Sequence, residues 1–94
     1  MTGERIRGAL ITPHAAIEAQ RRGISLVLVE KVLGTPEQEF ELRPGRVVLQ
    51  TRISLGEPGK VYLIRVVVDI DGQPAEVVTV YRTSKVEKYW RRGS

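Results

Sequence analysis

The hydrophobic pattern changes period once along the chain. Up to Gly34 apolar residues recur at helical spacing, and beyond it they alternate. At the start, residues 1–11 mix Ile6, Leu10 and Ile11 with Glu4, Arg5 and Arg7, which predicts a frayed beginning and then a short extended segment. Thr12-Pro13 predicts a helix start: Thr12 is the N-cap, and Pro13 takes the first helical position, where its missing N–H costs nothing. That helix is expected to end near Arg22, with Gly23 left-handed and Ile24 folding back on the last turn. Ser25 is placed as the cap of a second helix, flanked by Ile24 and Val29 as a hydrophobic staple. In this helix Leu26, Val29, Val32 and Leu33 share a face while Glu30 and Lys31 point away. Gly34 is expected to stop it and Pro36 to prevent a restart.

Period-two stretches follow. Residues 39–43 read as a short, charged edge strand, turned by Pro44-Gly45 into a strand over 46–55. There Val47, Leu49, Thr51 and Ile53 lie opposite Gln50, Arg52 and Ser54. The longest strand, 60–70, sets Tyr62, Ile64, Val66, Val68 and Ile70 against Leu63, Arg65, Val67 and Asp69. After an Asp71-Gly72 turn, Val77 to Tyr81 read as a strand packed on both faces, and residues 84–90 as a helical turn or two. Three successive hairpins predict an α+β domain spanning 1–94: a four-stranded antiparallel meander, one face covered by the N-terminal helix pair, with a short C-terminal helix.

Composition narrows the function. Ninety-four residues suit one domain with its own core. The lack of cysteine excludes disulfides and thiolate metal sites and fits a cytoplasmic location, and a single histidine argues against an ordinary zinc centre. No cofactor is expected. No apolar run approaches the ~20 residues that span a bilayer, and the N-terminus shows no signal-peptide core, so no membrane partner is expected. The net charge is +4, and Arg82 to Arg92, with five cations against one carboxylate, accounts for all of it. A basic edge of this kind favours RNA or an acidic protein as partner.

Two groups of residues could carry chemistry. His14 stands at the second helical position with Glu18 and Arg21 on its face and Arg22 at the margin. These form either a solvated polar face or a His/Arg pair beside a phosphate, with histidine as acid or base and arginine holding the oxyanion. After the last strand come Tyr81, Arg82, Lys85 and Lys88. Metal-free RNA cleavage needs a proton acceptor for the 2′-OH, cations for the phosphate and a proton donor for the leaving oxygen, and these side chains can supply them. The plainer alternative puts Tyr81 and Trp90 in the core, Ser84 as a cap and Lys85 to Arg92 on a wet helix face. Arg52 and Arg65, at mid-strand, share a sheet face with the tail and either track a phosphate backbone or pair with a carboxylate such as Glu76. No glycine-rich phosphate loop is present.

The phrase Thr12-Pro13-His14-Ala15, then Arg22-Gly23-Ile24-Ser25 and later Val78-Thr79-Val80-Tyr81, resembles the family called domain of unknown function 4258, from about Ile11 to Tyr89. That family is in turn similar to bacterial toxins of the RelE, ParE and BrnT kind, in which a helix pair packs on a twisted antiparallel sheet. Several of those toxins are ribonucleases held by an antitoxin. The resemblance implies a catalytic site of His14, Arg22, Tyr81 and Lys85. Arg21, Arg52, Arg65, Arg82 and Lys88 are the candidate RNA-binding cations. One position departs from the pattern: Glu18 stands where many relatives carry a basic residue. The expected function is a toxin-like RNA-binding protein, a metal-independent endoribonuclease of the toxin–antitoxin type. Its partners would be RNA, on or off the ribosome, and an acidic antitoxin. The alternative is a non-enzymatic module whose basic edge docks nucleic acid or an acidic protein, and a third possibility is self-association through the edge strand.

Overall fold

The computed structural model describes residues 6–92, so most of the predicted frayed start lies outside the described residues. From Leu10 onward the order is β1 (Leu10–Ile11), α1 (Pro13–Arg21), α2 (Leu26–Gly34), β2 (Gln38–Arg43), β3 (Arg46–Leu55), β4 (Lys60–Asp69), β5 (Glu76–Thr83) and α3 (Val86–Tyr89). No helix among the described residues is long and apolar enough to cross a membrane.

The helical hairpin follows its capping signals. The Thr12 hydroxyl accepts from the Ala15 N–H at 3.1 Å and donates to the Val77 carbonyl at 2.8 Å, so one side chain both starts α1 and ties it to β5. At the other end Gly23, at φ +67°, lets its own N–H and that of Ile24 reach the Gln20 and Ala19 carbonyls at 3.1 and 2.8 Å. Ser25 then caps α2 by accepting from the Leu28 N–H. Ala15 and Ala19 of α1 and Val29, Val32 and Leu33 of α2 are buried. Leu26, predicted for the same buried stripe, is 46 % exposed. It sits in the first turn, beside the groove between the helices rather than over the sheet. Gly34 does not end α2 but belongs to it. Thr35 ends it, with both its N–H and its hydroxyl turned back to the Lys31 carbonyl.

The sheet is five-stranded among the described residues, in the order β1-β5-β4-β3-β2. β2 to β5 form the predicted antiparallel meander. β1 corrects it to a mixed sheet by pairing parallel with β5, Leu10 opposite Glu76 and Ile11 opposite Val77. An extended segment ahead of α1 was expected, but local pattern cannot name a partner 65 residues away. The segment satisfies an edge of β5 that the meander leaves open, with Leu10 N–H to the Ala75 carbonyl at 2.9 Å.

A bulge in β5 decides which side chains face which layer. Val67 pairs with Thr79 and Val68 with Val77, which leaves Val78 as the extra residue. Val77 and Val80, an odd number apart, therefore both join the helix-side core with Leu49, Ile64, Val66 and Val68. Tyr81 goes to the opposite face. That second face is not open: Val48, Leu63 and Val67 are buried there too. The C-terminal tail covers them, with Tyr89 and Trp90 half-buried against the sheet rather than in the core. Ser84 does not cap α3; Lys85 precedes the helix and no side chain caps it.

Candidate nucleic-acid interface

On the tail-covered face, register alone aligns Gln38, Gln50, Arg65 and Tyr81 in one row across β2, β3, β4 and β5. Their side chains make a continuous chain of hydrogen bonds. Gln50 Nε2 donates to Gln38 Oε1 at 2.7 Å, Arg65 Nε donates to Gln50 Oε1 at 2.9 Å, and Arg65 Nη1 donates to the Tyr81 hydroxyl. Gln50 is fully buried and Arg65 is 6 % exposed. Among the described residues Arg65 forms no ion pair. Instead, aromatic rings surround its guanidinium, with Tyr89 at 4.4 Å, Tyr81 at 5.5 Å and Phe40 at 5.9 Å from the ring centroids.

The same row holds the tail. Gln50 Nε2 also donates to the Tyr89 carbonyl at 3.1 Å, and the Gln38 amide grips Arg91 on both sides, accepting from its N–H at 3.0 Å and donating to its carbonyl at 2.7 Å. Arginine–ring contacts complete the hold: Arg91 lies over Phe40 at 3.9 Å and Arg52 over Trp90 at 4.1 Å. Arg52 is fixed from behind by Glu37, which accepts from its Nε at 3.1 Å, its Nη2 at 3.0 Å and its backbone N–H at 2.8 Å. The Arg52 side-chain bonds, then its backbone N–H, hold the Glu37 carboxyl below its ordinary value, and the carboxylate in turn raises the Arg52 guanidinium. Arg52 thus pairs with Glu37, not Glu76.

β5 ends at Thr83, opposite Leu63, while β4 runs on to Lys60 at the same end of the sheet, and the cations there are of another kind. Lys60 and Arg82 flank the Tyr62 ring at 5.7 and 5.2 Å, and Lys85 and Lys88 follow on the tail, Lys88 lying 5.4 Å from the Tyr89 ring. None of these four forms an ion pair among the described residues, whereas Arg22, Arg46, Arg52 and Arg92 each do.

The helix side holds a separate cluster. Glu18 Oε2 lies 3.6 Å from His14 Nε2 and 3.7 Å from Arg22 Nη2, one turn away on either side. Its Oε1 is buried without a hydrogen-bond partner. The Glu18 carboxylate is therefore shared between Arg22 and His14. Arg21 is exposed.

The four predicted catalytic residues thus fall into two groups. His14 and Arg22 meet around Glu18 on the helix that covers one face of the sheet, while Tyr81 meets Arg65 on the other face and Lys85 lies just beyond it. Of the predicted RNA-binding cations, Arg82 and Lys88 reach the basic end, Arg52 and Arg65 are committed to the tail, and Arg21 stands apart. Sequence reasoning missed Gln38, Gln50, Phe40 and Glu37. The usable signal was Gln50: a polar residue placed by alternation on the face of Arg52 and Arg65, in a strand otherwise rich in Val and Leu.

The family model described as "Domain of unknown function (DUF4258)" matches residues 11–82, and the chain belongs to that family. No curated protein matches the chain, and no solved structure does.

Proposed function

We propose that this chain is a toxin-like RNA-binding protein whose contact surface is the basic end of the sheet. The observation that carries the reading is the gathering of Lys60, Arg82, Lys85 and Lys88 at one end, none of them in an ion pair among the described residues. Unpaired cations on a solvated rim attract a phosphate backbone with counterion release, and neighbouring aromatic rings give bases a surface to stack on. The resemblance to RelE, ParE and BrnT toxins, whose plan sets a helix pair on an antiparallel sheet, is the reason for preferring RNA to other polyanions; here a parallel fifth strand, β1, makes the sheet mixed. An acidic antitoxin-like protein would meet the same rim.

Cleavage without metal is the second half of the proposal. Its support is the Tyr81 hydroxyl held by the Arg65 guanidinium, with Lys85 four residues further on as the phosphate-binding cation. His14 and Arg22, across the sheet, are not needed for that arrangement. The test is cutting of a labelled mRNA in EDTA, with and without translating ribosomes. Wild-type protein is expected to cut, Lys85→Ala and Tyr81→Phe to lose cutting, and His14→Ala to keep it. Loss in His14→Ala at unchanged melting temperature would reinstate the helix-side pair. Salt-sensitive binding without any cutting would leave the non-enzymatic module.

A further inference from the structure

We infer that the cleft between the end of the sheet and the tail is a subsite for one unpaired base of a single-stranded RNA. This rests on the RNA-binding reading above and adds where a base goes. The cleft has a volume of about 480 Å³ and is lined by Arg52, Val61, Val86, Glu87, Trp90 and Arg92. That size lies in the range of small-ligand sites, roughly 300–1,000 Å³. Its chemistry suits a flat, partly apolar ring with polar edges. Trp90 and the guanidinium that covers it at 4.1 Å, Arg52, are both planar surfaces on which a base can lie. Val61 is 50 % exposed, an apolar side chain left half-open on a face otherwise closed by the tail. Glu87 and Arg92 form an ion pair in the lining and present an acceptor beside donors. Every base carries a donor and an acceptor side by side on its pairing edge, so this pair recognises a base without choosing among the four. Two of the unpaired cations lie where the phosphates flanking such a base would run: Lys85 and Lys88 are on the tail segment that supplies Val86, Glu87 and Trp90.

Trp90 is the chain's single tryptophan, so intrinsic indole emission reports on this cleft alone. Full-length protein is titrated with fluorescein-labelled decauridylate and, separately, with an abasic ribose-phosphate decamer of the same length. Anisotropy follows binding and Trp90 emission follows the cleft. Decauridylate is expected to quench Trp90 along the same curve as its anisotropy. The abasic decamer is expected to bind through its phosphates at least about tenfold more weakly and to leave the indole emission unchanged. Val61→Asn, a neutral change at an exposed position, is expected to bring decauridylate affinity down to that of the abasic decamer without altering the latter. Equal affinity for both oligomers with unchanged Trp90 emission would overturn the base subsite while the RNA-binding reading stood. Absence of binding by either oligomer at low salt would overturn both.

Discussion

Gln50 shows how much one buried side chain can determine. Arginine only donates and a carbonyl only accepts, so Arg65 on one side and the Tyr89 carbonyl on the other fix which end of the Gln50 amide is oxygen and which is nitrogen. Gln38 continues the order to the Arg91 backbone. Gln50→Leu keeps the volume but strands several buried polar groups. It is expected to lower unfolding free energy by about 2–3 kcal/mol in urea titration and to shift Trp90 emission toward that of solvated indole as the tail loosens. Glu37 acts at the same scale through pH. Its carboxyl is held below the ordinary 4.5 by Arg52, so its contribution is complete above pH 4.5 and is lost as pH falls through the folded-state value. The melting-temperature difference between wild type and Glu37→Gln is therefore expected to be constant near neutrality and to shrink below pH 4.5. A difference that persists undiminished at pH 3 would mean that Glu37 acts by packing and not by charge.

At the scale of elements, the tightest joints lie where one residue serves two strands or helices. Thr12 caps α1 and also bonds β5 through a single hydroxyl. Thr12→Val is expected to cost about 1–2 kcal/mol, and Thr12→Ser, which keeps the oxygen, much less. The β2–β3 turn is as constrained. Gly45 sits at φ +86°, and a Cβ there would run into the Asp71 carboxylate of the neighbouring β4–β5 loop. Asp71 is exposed and the far end of its side chain can swing aside, so Gly45→Ala meets chiefly the backbone penalty, and thermal melts should show a loss of about 1–2 kcal/mol. Alternation predicted the faces of β3 and β4 correctly, because each pairs in unbroken register. It could not do so for β5, where the bulge at Val78 reverses the order between Val77 and Val80 and sends Tyr81 away from the helices.

For the whole molecule, the consequence is a sheet covered twice, by helices on one face and by its own C-terminal tail on the other. The tail that supplies the chain's excess charge is therefore also the cover of one sheet face, its Val86, Tyr89 and Trp90 half-buried. Its cations divide accordingly: Arg91 packs on Phe40, while Lys85 and Lys88 form no ion pair among the described residues. In a salt series with single-stranded RNA, Lys85→Ala and Lys88→Ala are each expected to reduce the slope of log K against log salt by about 0.7, the share of one phosphate contact. Arg91→Ala should leave the slope unchanged and lower stability instead. The converse pattern would place the interface on the tail's inner side.

The sequence by itself determined the class of fold, the N-caps of α1 and α2, the antiparallel strands from Gln38 to Thr83 and the basic character of the C-terminal end. These rest on period, capping chemistry and charge, which act between residues close together in the chain. Only the tertiary structure decided that β1 joins β5, that Val78 is a bulge, that Gln38, Gln50, Arg65 and Tyr81 line up, and that the sheet keeps His14 and Arg22 apart from Tyr81. Each of those depends on contacts between distant segments, where register and face are set by which buried polar groups and sheet edges must be satisfied together, and no local pattern carries that information.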